Sequence, residues 1–265
     1  MSRSRLYSTE AIVLRRNDYG EADRLLTLMT PHLGKLRVMA KGARKITSRK
    51  AGHIELFTRT TLLIAKGRTF DIVSQAELIE TYRLLREDMQ RGSLAHYFCE
   101  LVDQFGQEDN EDEALFNLLA NGLRWLCDAP DAKLAARHFE LKLLTLSGYE
   151  PRLFRCAVTD APLEADQLSN SNSNSNAAVH LTAFSPQQGG VLCNAAARQA
   201  REAVLLTPSA LNLLRALQTK SFEAIQEIQV SDDLHSQIER TMQRYMNYVL
   251  ERAPKSALLL KQLSR

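Results

Sequence analysis

Nowhere in the 265 residues is there a run approaching 18 uninterrupted apolar side chains, so no segment is expected to cross a membrane as a helix. The N-terminus, MSRSRLYSTEAIVL, carries early positive charge but no apolar stretch followed by a small-residue cleavage site. It is read as untargeted, and the chain as cytoplasmic. Cysteine is scarce: four in the whole chain make no disulfide framework and suit a reducing compartment. Catalytic signatures are missing too. There is no GxxxxGK[ST], no G-x-G-x-x-G, no HExxH and no G-x-S-x-G. The histidines (His32, His53, His96, His138, His180 and His235) are scattered, with no metal-pair or nucleophile–base spacing. Acid pairs such as Glu21/Asp23 read as surface charges rather than a metal-ion nuclease centre. No enzyme and no cofactor are expected.

The most informative shortage is of negative charge. From Arg24 through Ile54 there is no Asp or Glu, and residues 34–50, GKLRVMAKGARKITSRK, hold seven basic residues. Residues 1–80 carry 15 Lys/Arg against 8 Asp/Glu, whereas the remaining chain carries 19 against 23. A basic front and a slightly acidic rear place an anionic partner at the N-terminal part. A solvated charge run usually mixes signs. Here nothing local can pair with the cations, and like charges held together favour a bound polyanion. No amphipathic helix accompanies the charge, so nucleic acid is preferred to a membrane surface. Tyr19, Phe57 and Phe70 are candidate stacking aromatics, each with core or edge packing as its ordinary alternative.

What the chain does contain is 45% hydrophobic and 25% charged residues, enough for real cores. The first 80 residues read as strands. Ile12 and Leu14 alternate with Ala11 and Val13, and Leu25–Thr30 is a β-leaning run ended by the turn Pro31–Gly34. Leu36, Val38 and Ala40 alternate with Lys35, Arg37, Met39 and Lys41, so the first set is expected inside and the cations outside. Leu56–Ala65 gives a fourth strand and Thr69–Ser74 a fifth. Five short strands in this length match a small barrel such as the OB-fold.

After residue 82 the period becomes helical. Leu94, Phe98, Leu101, Val102 and Phe105 share one face; Leu115, Leu118, Leu119, Leu123 and Leu126 share another, after the acidic start Glu111–Glu113. Asp131 can cap a third helix with Leu134, His138, Leu141 and Leu144, ended by Gly148. Thr207-Pro208 opens a further helix, and Ser231 opens the last, stopped before Pro254. The region 149–200 is read as irregular. Within it, the Ser-Asn repeat 169–176 is a polar low-complexity loop that cannot bury a core. Cys156 and Cys193 look like knuckles that each lack a second ligand, the corresponding positions being Thr159 and Ala196. A structural zinc needs four donors, so no zinc is expected. Cys99 and Cys127 sit on helical patterns and read as core residues.

The stretches EAIVLRR (10–16), YGEADRLLTLMT (19–30), GK (34–35) and AKGARK (40–45) resemble the bacterial RecO family of recombination mediators in DNA repair. The likeness runs along essentially the whole chain and is most specific in the first 50 residues. It implies an α+β, multidomain fold. An N-terminal five-stranded OB-fold barrel (1–80) would bind DNA and be followed by a helical domain (81–150 and 201–265) interrupted by a degenerate zinc-finger-like insert (151–200). The insert could fold around Leu153, Val179, Phe184 and Leu192. The resemblance also implies binding of single- and double-stranded DNA, annealing of complementary strands and, with RecR, loading of RecA onto strands coated by single-strand-binding protein. The C-terminal tail of that protein is a further implied partner, and the implied location is cytoplasmic, at the nucleoid. Carried onto this chain, the DNA-binding positions are Lys35, Arg37, Lys41, Arg44 and Lys45, then Arg15, Arg16 and Arg24. If about five phosphates are contacted, log affinity for single strands falls with log salt with a slope of roughly −3.5. The alternatives are an OB-fold RNA-binding protein, a nuclease using Glu21 and Asp23, and a helical scaffold with an incidental barrel.

Overall fold

The computed structural model describes residues 5–163 and 182–256, and these sort into two compact units, Met1–Asp128 with Pro254–Arg265, and Ala129–Ala253. The Ser-Asn repeat and Val179 lie outside the described residues. No helix among the described residues is long and apolar enough to cross a membrane.

The first unit begins with β1 (Leu6–Tyr19), β2 (Asp23–Thr30), β3 (Gly34–Ala40), β4 (Arg59–Ala65) and β5 (Asp71–Glu80). They close into a barrel in the order β1-β2-β3-β5-β4. Every pair is antiparallel except the short parallel contact of β3 with β5, Val38 with Asp71 and Met39 with Ile72, which completes the ring. The period-two pattern decides what goes inside: Val38 and Ala40 join Ala11, Val13, Leu26, Leu28, Leu62, Ile64 and Val73 in one buried cluster, with Leu36 against it. Each Val, Leu or Ile of this set contributes about 1.5–3 kcal/mol of hydrophobic stabilisation. Ile12 and Leu14, outside that cluster, are equally buried because α2 packs on β1.

The fourth and fifth strands differ most from the sequence expectation. The fourth strand starts at Arg59 rather than Leu56, because Phe57 takes a left-handed φ of +69° and buries its ring edge-on against His96, 4.9 Å between centroids. The fifth runs to Glu80 instead of stopping at Ser74; pairing continues to Arg59–Glu80, but most of those side chains are exposed and leave no alternation in the sequence.

Among the described residues this unit also holds a 3-10 turn at Ala51–Ile54 and the helices α1 (Leu84–Glu87), α2 (Met89–Phe105) and α3 (Glu113–Asp128). Asp88 caps α2 by accepting the Arg91 N–H at 2.9 Å, and Asp112 caps α3 by accepting that of Leu115 at 2.9 Å. The last described residues belong here too. The backbone N–H groups of Lys255 and Ser256 donate to the Glu100 carboxylate on α2, each at 2.8 Å.

In the second unit, α4 (Ala132–Leu146), α6 (Pro208–Thr219) and α8 (Asp232–Val249) pack on one another, with the short α5 (Asn194–Ala197) and α7 (Phe222–Ile225) between them in sequence. Their starts carry the expected caps: Asp131, Thr207 and Ser231 accept the N–H groups of Leu134, Ala210 and Leu234. The region read as irregular instead contains part of a three-stranded antiparallel sheet, order β7-β6-β8, from β6 (Thr182–Ser185), β7 (Gly190–Leu192) and β8 (Val204–Leu206). Strands of three or four residues are too short to print a period. Phe184 joins this sheet to α8 through an edge-on contact with Tyr245, 5.2 Å between centroids.

Candidate nucleic-acid interface

One rim of the barrel gathers three connections: the β1–β2 turn, the segment from Lys41 to Lys50 that leaves β3, and the β4–β5 turn. The segment is held down by its backbone. The Gly42 N–H donates to Asp23 Oδ1 at 2.7 Å, and the Arg44 N–H donates to the Ala22 carbonyl at 2.9 Å. Gly42 has φ +66°, a conformation that suits glycine and turns the chain sharply out of β3. Asp23 is therefore a turn anchor, which accounts for its place near Glu21 without any metal. Farther along, the Lys50 ammonium donates to the Val73 carbonyl at 2.9 Å, and burial lowers its pKa. In the β4–β5 turn, Asp71 accepts the Gly67 N–H at 3.0 Å and pairs with Lys66 at 3.0 Å. Burial works to raise the Asp71 pKa, but the Gly67 N–H, the Tyr7 hydroxyl and Lys66 outweigh it and keep the carboxyl below its usual range. These contacts bring the Tyr19 and Phe70 rings together edge-on, 6.4 Å between centroids, with Tyr19 51% exposed.

The eight cations singled out from the sequence divide into three groups. Lys41, Arg44 and Lys45 are exposed on the rim. Arg44 leans on Asp18 at 3.4 Å and on the Gly20 carbonyl at 3.2 Å, while Lys41 and Lys45 have no ion pair among the described residues. Arg37 is exposed and pairs with the equally exposed Glu108 at 3.4 Å, a contact of little energetic weight. The remaining four make ion pairs within the unit, Arg15 with its side chain still 50% exposed. Lys35 is only 13% exposed; its ammonium donates to the Asp103 carbonyl at 2.6 Å and meets the Asp103 carboxylate at 3.2 Å, where Arg15 also binds at 3.0 Å. Arg16 and Arg24 both bind Glu55, Arg24 at 3.2 Å and also Asp18 at 3.6 Å. Glu55 is the first acidic residue after the uninterrupted basic stretch. Lys35 and Lys41 stand at opposite ends of β3, about 20 Å apart along an extended chain. They cannot serve one compact site.

Of the aromatics, Phe57 is 2% exposed and belongs to the core, whereas Tyr19 and Phe70 share the rim with Lys41 and Lys45. Three exposed rim cations were not singled out in the sequence, Arg49, Lys66 and Arg68, of which Lys66 pairs with Asp71. Arg49 lies inside the single-signed run, so the signal for it was present; Lys66 and Arg68 flank one glycine in a turn, outside that run, and had none. Exposed ammonium and guanidinium groups beside open ring faces can neutralise phosphates and stack bases, the two interactions that hold single strands.

Zinc, which the family resemblance implies for the insert, does not fit the donors here. Among the described residues no group of three or more His, Cys, Asp or Glu side chains could hold a metal. Thr159 lies where a third thiolate would be needed, its hydroxyl 3.8 Å from Cys193 Sγ. Two thiolates fall short of the four donors that a structural zinc takes.

Comparison with known proteins agrees along the whole length. The family model described as "Recombination protein O N terminal" matches residues 1–82, and "Recombination protein O C terminal" matches residues 86–258. A protein of Roseiflexus sp. named DNA repair protein RecO is 41% identical over 258 residues, 97% of this chain and 86% of that one. Proteins of the same name are 32% identical in Dehalococcoides mccartyi, over 100% of this chain and 99% of the relative, and 36% identical in Pelotomaculum thermopropionicum, over 97% and 94%.

Proposed function

The chain belongs to the recombination protein O family, which gives it a role in DNA repair and recombination, and from that premise we propose that it works as a non-catalytic mediator whose barrel rim holds DNA. The observation that carries this reading is the clustering of Lys41, Arg44 and Lys45 beside the Tyr19–Phe70 pair on one rim. Arg16 and Arg24 belong instead to the frame held by Glu55, Lys35 and Arg15 tie β3 and β1 to Asp103 on α2 away from the rim, and Arg37 adds long-range positive potential.

The mechanism is polyelectrolyte physics. Phosphates of one strand displace counterions at the rim cations, and open bases rest against Tyr19 and Phe70. Two complementary strands whose phosphates are partly neutralised repel each other less and meet at higher local concentration. Base pairing then reads the sequence. The barrel (residues 1–80) carries the DNA in this proposal. Residues 81–150 and 201–265 would offer surfaces to RecR and to the tail of single-strand-binding protein, so that RecA can load; family membership is what supports those partners. Annealing of two complementary fluorescent oligonucleotides tests the proposal, wild type beside Lys41→Ala/Arg44→Ala/Lys45→Ala. Fast annealing that the triple variant slows, with its fold intact by circular dichroism, is the expected result. Equal annealing by both proteins would move the DNA site away from the rim.

A further inference from the structure

We propose that Cys156 and Cys193 are a reversible modification site, joined as an intrachain disulfide when the protein meets a hydroperoxide. The fold holds their backbones side by side. Cys156 opens a tight turn closed by its own N–H to the Ala161 carbonyl at 2.8 Å and by the Asp160 N–H to its carbonyl at 2.9 Å. That turn is pinned to β7, because the Ala157 N–H donates to the Val191 carbonyl at 2.8 Å. Two residues along, the Cys193 N–H donates directly to Cys156 Sγ at 3.3 Å. A Cys193 nitrogen 3.3 Å from Cys156 Sγ makes the two residues immediate neighbours through space, as a disulfide with a Cα separation of about 4.4–6.8 Å requires. The sulfurs also converge: the Thr159 hydroxyl lies 3.8 Å from Cys193 Sγ and hydrogen-bonds to Cys156 Sγ. Both thiols are free, Cys156 fully buried and Cys193 half-buried.

The surroundings favour the thiolate. Burial alone would raise the Cys156 pKa, but the Thr159 hydroxyl and the N–H groups of Cys193, Thr159 and Val158 reverse this and bring it down to about 6. The other two thiols behave oppositely, since burial pushes Cys99 up and Cys127 up to about 11. A thiolate, not a thiol, is the nucleophile in this chemistry.

The step balances with the peroxide as oxidant. The more accessible Cys193 sulfur attacks one oxygen of the hydroperoxide and gives up its proton; the O–O bond breaks, the far oxygen takes that proton and leaves as alcohol or water, and Cys193 becomes a sulfenic acid. The Cys156 thiolate then attacks that sulfur, the S–S bond forms, and the departing hydroxide is protonated to water. Two thiols lose two electrons and the peroxide gains them. Excess dithiol reverses the bond by exchange.

The test is intact mass and peptide mapping of the full chain after hydrogen peroxide, without reductant. Expected is the loss of two hydrogens, a cross-linked peptide pair containing Cys156 and Cys193, and recovery of the original mass with dithiothreitol. Cys193→Ser, at a half-exposed position that tolerates the change, is expected to abolish the loss, and Cys127→Ser to leave it. Stable oxygen addition on Cys193, a disulfide between two chains, or the same mass loss in Cys193→Ser would each overturn the proposal.

Discussion

Lys35 in β3 and Lys41 just past its end share one side of the alternation, and replacing each by alanine is expected to do different things. Lys35→Ala removes an ammonium that is 13% exposed, 2.6 Å from the Asp103 carbonyl and 3.2 Å from its carboxylate. A hydrogen bond to a charged partner contributes about 1.5–3 kcal/mol. Stranding a buried charge would cost about 3–5 kcal/mol, but Asp103 keeps Arg15 at 3.0 Å. The net loss is therefore about 2 kcal/mol, which in a chain of this size lowers Tm by roughly 4–8 °C. DNA affinity should keep its salt slope. Lys41→Ala/Lys45→Ala is expected to do the reverse, because exposed side chains change stability by only about 0.5 kcal/mol while each lost phosphate contact flattens the single-strand slope by about 0.7. Across a roughly fourfold rise in salt, an affinity that falls about 130-fold with five phosphates falls only about 20-fold with three. Thermal melting and fluorescence anisotropy across a salt series read both effects. A shallower slope with unchanged Tm for Lys35→Ala would refute the division of the cations.

Two further changes probe the frame of each unit. Gly34 has φ +61°, and a Cβ there would stand 2.3 Å from the Asn110 carbonyl oxygen and 2.6 Å from that of Gln107; Gly34→Ala is expected to destabilise the barrel's unit by about 2–4 kcal/mol, measured by urea unfolding. In the other unit, burial lowers the His138 pKa to about 4, and the neutral ring donates Nδ1–H to the Leu217 carbonyl at 2.9 Å. The unfolded chain takes up that proton at about 6.5. The stabilisation from neutral His138 is thus complete above about pH 6.5 and declines toward pH 4, by on the order of 3 kcal/mol, a decline that His138→Gln should remove in pH-dependent unfolding.

What could be read from the sequence was whatever local chemistry decides. The alternation of Leu36, Val38 and Ala40 fixed the inside of β3, and Asp131, Thr207 and Ser231 declared their helices through capping side chains. The outer half of β5 escaped because it is exposed on most positions, and β6, β7 and β8 because each is only three or four residues long. The site was legible as a stretch but not as a set of residues. Lys35 and Lys41 are indistinguishable by charge and period; the group that separates them, Asp103, lies 68 residues beyond Lys35. Likewise only the folded chain shows that Glu55 absorbs Arg16 and Arg24, and that Phe57 turns inward while Tyr19 and Phe70 meet on the rim.

The claim that the barrel rim holds DNA is tested most directly by photocrosslinking a single-stranded oligonucleotide containing 5-iododeoxyuridine to the full chain and mapping the attached residue by mass spectrometry. Crosslinks at Tyr19 or Phe70, lost in Lys41→Ala/Lys45→Ala at moderate salt, are the expected result. Crosslinks confined to residues outside the barrel, from a strand shown by anisotropy to be bound, would contradict it.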